Sequence, residues 1–375
     1  MLEVFRLKIF YGKTVTSSHL MTNIVFTGLL FLVGFGSIYS TGSEAAQVSD
    51  LYKTEIPIAS QSTEEQKTAI GKALSNVIIK VTGEKLSLAN DTLQNAIAQP
   101  DSYLNSYSYR KDNTKSQQQY LQVAFIEEQV NRLLRTAGLA IWGNNRPTIL
   151  AWLAVDDGGH RNIQRDSFTG SIADIFEQQF RERALPLIFP IYDVEDVQSI
   201  SVVDVWGVFP EKLLTASKRY GADAILAGRL EITNGIYNGR LSLLFRGTRE
   251  DTDILDLNGK QLSLKAADLV GGTLAHHYAI ISHDSRDNTT LFVEGVQSAK
   301  DYGSLLTYLE GLTAVRSINV NRLLGSKIEL ELIFDGYSSQ LTDAIALGRS
   351  LRPVERAQGD RITQAPVMSY RWLVR

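Results

Sequence analysis

Residues 148–155, TILAWLAV, are apolar on both faces of the strand they would form. Such a strand has no wet face, so it belongs inside a sheet covered by helices on both sides. Its surroundings agree. Ile172, Ile175, Phe176 and Phe180 recur at helical spacing over about 167–184, and LPLIFPIYD at 185–193 reads as a second strand. A helix opens at Pro210 and Glu211, where proline suits the first turn, and Gly221 ends it. ADAILAGRLEIT, 222–233, is a third strand. Asn234-Gly235 and Asn238-Gly239 then mark a reversal into RLSLLFRG. A last helix over about 263–281 turns Ala267, Val270, Leu274, Tyr278 and Ile281 inward. These elements form an α/β module over 146–283, a mixed sheet with helices packed on it.

Two further modules flank it, as a chain of 375 residues leads one to expect at ~100–200 residues per domain. In the first, 47–143, LYKTEIPIA alternates as a half-buried strand, with Tyr52, Thr54, Ile56 and Ile58 on one face. Ser62 and Glu65 have capping-box spacing before a helix whose stripe runs from Ala69 to Val81 and stops at Gly83. A shorter helix starts at Asn90 or Asp91 and meets Pro100. QQYLQVAF is a strand, and a helix over 127–137 ends at Gly138. This is a small α+β unit. GNNRP at 143–147 reads as a linker, as does HDSRDNTT at 283–290. The remainder, 289–375, spells βαββαβ, the split βαβ order of ferredoxin-like folds.

The first 46 residues differ in kind. Arg6, Lys8 and Lys13 precede the apolar run IVFTGLLFLVGFG at 24–36, and Ser43-Glu44-Ala45 follows as a small-x-small exit. The run is short for a membrane span, so the pattern reads as a signal peptide over 1–46, cleaved near Ala45 or Ala46. Translation from Met21 and an uncleaved inner-membrane anchor are the alternatives. The expected location is the periplasm, with membrane contact only through a retained leader. No cysteine is present, which excludes disulfides, thiolate metal sites and a cysteine nucleophile. A net charge of −3 offers no general attraction for nucleic acid.

Four stretches carry a family likeness: 51–84, 138–159, 193–207 and 216–230. Trp142-Gly143, Arg146-Pro147 and Trp152 occur in order, followed by the run Arg219-Tyr220-Gly221-Ala222-Asp223. From about Leu51 to the carboxyl terminus the chain resembles the proteobacterial envelope family known as domain of unknown function 2066. That resemblance implies a secreted protein and supplies no catalytic residue. At fold level the middle module is similar to the amino-terminal domain of the propeller-bearing Tol protein and to curli-secretion-type envelope proteins. Those resemblances imply a docking or assembly role.

The candidate sites are acidic or aromatic. Asp156 and Asp157 follow the first middle strand; Asp193, Glu195 and Asp196 follow the second. Were those strands parallel neighbours, all five carboxylates would lie beyond one sheet edge, where calcium or magnesium would find oxygen ligands. Asp-Asp-Gly-Gly is also ordinary turn chemistry, and no calcium-loop spacing accompanies it. Trp206, in VVDVWGVFP, is the candidate partner-binding anchor. Trp142, Trp152, Tyr103, Tyr107, Tyr109 and Tyr120 read as core, with stacking of a glycan or base beside Arg110 as the alternative, and His160 as a loop residue near the acidic candidates. Nucleophile elbow, P-loop, dinucleotide fingerprint and zinc-helix motifs are all missing from the sequence, and no cofactor is expected. The expected function is a non-enzymatic envelope adaptor or assembly factor working through protein contacts. A cation- or ligand-binding protein using the acidic edge is the alternative, and an envelope hydrolase comes third.

Overall fold

The computed structural model describes residues 48–112, 118–165, 171–281, 287–354 and 367–373. The leader expected over 1–46, with its cleavage site, lies outside them, as does the first half of the HDSRDNTT segment. Among the described residues the chain is a mixed α/β protein with ten helices and three sheets.

The first sheet has the order β1 (Lys53–Ile58), β3 (Gln119–Phe125), β2 (Leu104–Lys111), all antiparallel. Helix α1 (Thr63–Thr82) covers it. Ser62 caps that helix and Glu65 reaches back to the amides of Ala59 and Ser60. Gly83 ends α1 in the left-handed conformation at φ 78°. Two shorter helices, α2 (Asp91–Ala98) and α3 (Glu127–Thr136), complete the module. Strand β2 is absent from the sequence-based reading, since its residues are almost all exposed and show no alternation to detect.

The central sheet runs β5 (His160–Ile163), β4 (Ile149–Asp157), β7 (Ala224–Thr233), β8 (Ile236–Phe245), β9 (Thr248–Asn258). Strands β4 and β7 are parallel neighbours; the other pairs on this path are antiparallel. As its composition requires, β4 is buried on both faces. Ile149, Ala151 and Leu153 meet α4 (Ile172–Glu182) and α8 (Gly259–Tyr278) in the largest core. Leu150, Trp152 and Ala154 face a second core under α5 (Val194–Ser199), α6 (Val202–Trp206) and α7 (Pro210–Ser217).

Three expectations for this module need correction. The second strand shrinks to β6 (Leu187–Ile188), pairing parallel with the start of β4, because Pro186 and Pro190 flank it without amide donors. Only the first Asn-Gly pair turns the chain. Asn234 and Gly235 have positive φ between β7 and β8, whereas Asn238-Gly239 lies inside β8 at an irregularity. Helix α8 ends at Tyr278, leaving Ile281 exposed instead of inward.

The third sheet has the order β11 (Val315–Leu324), β12 (Lys327–Phe334), β10 (Asp287–Glu294), β14 (Val367–Trp372), β13 (Leu351–Pro353). Helices α9 (Ala299–Glu310) and α10 (Ser338–Leu347) share its core. In place of a plain βαββαβ unit, an extra strand β13 follows α10. Strand β14 pairs antiparallel with β13 and parallel with β10.

The segment expected as an exposed linker at 143–147 is a locked joint. Arg146 is 0% exposed, and its five N–H groups all donate to backbone carbonyls. The acceptors are Gly143 and Trp142 beside it, Lys80 of α1, and Arg183 and Ala184 after α4. The guanidinium also lies 4.2 Å over the Trp142 ring. Gly143 permits close approach of the third module, because a Cβ there would fall 1.6 Å from Thr313 Oγ1. Asn145 donates to Ala344 of α10 at 2.8 Å. Arg183, paired with Asp268 of α8 at 2.6 Å, donates to the Gly83 carbonyl at 3.2 Å. Residues Ser43–Arg375 accordingly form one compact unit.

Candidate functional site

The segment 191–217 carries the most unusual surface. Ile191, Val194, Val197, Val203, Phe209 and Leu214 are each between 48% and 73% exposed, on three short consecutive helices and the residues that lead into them. Helix α5 packs on α7, and α6 on α7 as well as on β4, β5 and β7. Val205, Val208, Leu213 and Ala216 face inward to the second core. These helices therefore spend apolar residues on both sides, and one side faces water. Large apolar side chains left exposed in one segment make it a candidate interaction surface.

A polar lock fixes the outer helices. Asp193 caps α5, accepting from the amides of Glu195 at 3.1 Å and Asp196 at 3.2 Å. Arg219 grips the same carboxylate with two bonds, Nη1 to Oδ1 at 2.7 Å and Nη2 to Oδ2 at 3.0 Å. It also donates to Asp196 Oδ1 at 3.2 Å. Asp196 is 0% exposed; its Oδ2 accepts from the Tyr192 amide at 2.8 Å and from the Tyr220 hydroxyl. Tyr220 in turn accepts from the Ile191 amide at 2.9 Å. The Arg219 bonds, helped by the Asp196 amide, pull Asp193 down to about 2, while burial and the Asp196 bond push Tyr220 up to about 12.

The five carboxylates are not brought together. The Asp193 group is tied to Arg219 and Tyr220, just ahead of β7, whose first residue pairs with Ile149 at the start of β4. Asp156 and Asp157 stand at the other end of β4, roughly 20 Å away at about 3.3 Å per residue. The expected shared edge fails because β6 pairs only with Ile149 and Leu150 and never runs alongside the rest of β4. Asp156 accepts from the Gly159 amide at 2.7 Å and from Arg161 at 2.8 Å, which lowers its pKa. Gly158 and Gly159, both at positive φ, form the two-residue β4–β5 turn. Among the described residues no three His, Asp or Glu side chains are grouped to hold a metal.

Trp206 is half-buried, not a loop anchor. It ends α6, packs on the second core, and lies under Arg161, whose guanidinium carbon is 4.1 Å from the ring. Trp142 and Trp152 are core, Trp152 Nε1 donating to Ser217 Oγ at 3.0 Å. Tyr107 and Tyr109 depart from the core reading, exposed edge-to-face on strand β2. His160 is exposed on β5, not in a loop. The apolar positions in VEDVQSISVVDVW could have been found at helical spacing, but the two helices are too short for a period to emerge.

Comparison with known proteins adds one match. The family model described as Domain of unknown function (DUF8605) matches residues 45–143, the first module. No curated protein and no solved structure matches the chain. No helix among the described residues is long and apolar enough to cross a membrane.

Proposed function

We propose that the chain is an exported envelope protein that works without catalysis, docking a partner through the exposed apolar side of α5, α6 and α7. One observation carries the reading: six large apolar side chains are exposed on α5, α6, α7 and the residues leading into them, a segment whose start is held by the Asp193–Asp196–Arg219–Tyr220 lock. A preformed apolar surface spends little ordering entropy on binding. The leader pattern and the resemblance to the envelope family of unknown function 2066 support the periplasmic location. The fold-level similarity of the middle module to envelope docking domains supports the adaptor role, as an analogy only.

The structure changes which residues test this. Charge reversal at Asp193 and Asp196 would break the lock, and Trp206→Ala would strip a core contact, so both confound docking with folding. Val194→Asp with Val203→Asp leaves the core intact. The double variant is expected to melt close to the parent, since surface changes usually stay within ~0.5 kcal/mol each, and to fail to rescue the detergent or antibiotic sensitivity of a deletion strain. Full rescue by a stably folded double variant, or turnover of a defined substrate by the pure protein, would defeat the reading.

A further inference from the structure

Arg246, which follows β8, donates through Nη1 to Asp343 Oδ2 on α10 at 2.8 Å. The same Nη1 lies 2.9 Å from Nε2 of His277 on α8. A guanidinium carries donors and no acceptor, so Nε2 must accept, and the imidazole is neutral with its proton on Nδ1. This three-residue contact joins the central sheet module, which holds Arg246 and His277, to the third module, which holds Asp343. The ring is half-buried, edge-on to Phe245 at 5.1 Å and beside Tyr278 at 5.6 Å.

We propose that protonation of His277 loosens this corner of the joint, making the seating of the third module on the central one sensitive to mild acid. A protonated ring presents an N–H to Arg246 where it had presented a lone pair. Two cations then face Asp343, which already lies 3.9 Å from Nε2. The other groups around the ring are His276 and Tyr278 on α8, with Asp223 ahead of β7 and Tyr370 on β14 acting through Tyr278 and Asp343. Neighbouring contacts across the joint involve no histidine. Arg349 meets Asp223 and the Gly221 carbonyl, Asn145 meets the Ala344 carbonyl, and Gln340 meets the Ala279 carbonyl. Acid therefore weakens one corner instead of releasing the module. Burial and Arg246 hold His277 below its ordinary value of 6.5. The contact is thus complete above 6.5 and is lost as pH falls below it.

The test uses the full chain with 15N-labelled histidine, together with a double-mutant cycle. NMR should show His277 as the Nδ1–H tautomer with a midpoint below 6.5. The Arg246→Gln, Asp343→Asn coupling, measured by urea unfolding, should fall about threefold as an equilibrium factor between pH 7.5 and 5.5. In a His277→Gln background, where a neutral amide oxygen can accept from Arg246 at either pH, the coupling should not change. An Nε2–H tautomer, a midpoint at or above 6.5, or equal coupling at both pH values in the parent would overturn the proposal.

Discussion

Arg146 shows how one side chain joins segments far apart in the chain. Its carbonyl acceptors come from α1, from the 142–143 turn and from the end of α4. Arg146→Met should cost roughly 4 kcal/mol in urea unfolding, because several buried carbonyls lose their partners at ~1–3 kcal/mol each and only part relaxes. Arg146→Lys should recover little of that, having three donors and no planar fork. Beside it, Lys80 is buried with its ammonium on the Lys53 carbonyl at 2.6 Å. Burial, helped by Arg146, pulls Lys80 from 10.5 to about 8. The unfolded chain then binds more protons between those values, so stability should rise with pH from about 8 toward 10.5. Tyr52, raised by burial, opposes this above 10, so the profile should peak near there and then fall. Lys80→Met should flatten the rise, and a curve of unchanged slope would show that Lys80 is not its source.

At the scale of elements, legibility follows how far burial repeats along the chain. The long stripe of α1, the all-apolar β4 and the alternation in β12 were plain because one face, or both, stays dry over many residues. Strand β9 was hidden. Its exposed face carries Asp251 and Asp253, paired with Arg249 and Arg240, so TREDTDILDLN reads as a polar loop. Helices α5 and α6 were missed because each spans less than two turns, and their start is set by Asp193 and by the Ser201–Asp204 capping box. The acidic candidates were legible as residues but not as a place, since a two-residue β6 could not carry the second group along β4. Gly83 tests the packing of elements directly. At φ 78° it caps α1, and a Cβ there would lie 2.4 Å from that of Ala275 on α8. Gly83→Ala should lower stability by about 2 kcal/mol or more, combining left-handed strain with a displaced helix contact.

For the whole molecule, the three sheets were readable as modules, whereas their fusion was not. Polar stretches such as GNNRP look like linkers in sequence because nothing local announces that their side chains will be buried by distant segments. Limited proteolysis should consequently spare 144–146, and unfolding of 43–375 should be one cooperative transition. Early cutting there would mean that the modules move independently. Export has its own check: mass spectrometry of the native protein should find an amino terminus near Ala46 or Gln47, and retention of Met1 or Met21 would contradict cleavage. The adaptor reading is tested most directly by site-specific photocrosslinking in the native host. A benzoylphenylalanine at Val194 or Val203 should give a discrete adduct with an envelope protein. The same probe at Leu255, which is 70% exposed on β9, should not. Equal adducts from all three positions, or none from Val194 and Val203, would contradict docking through these helices.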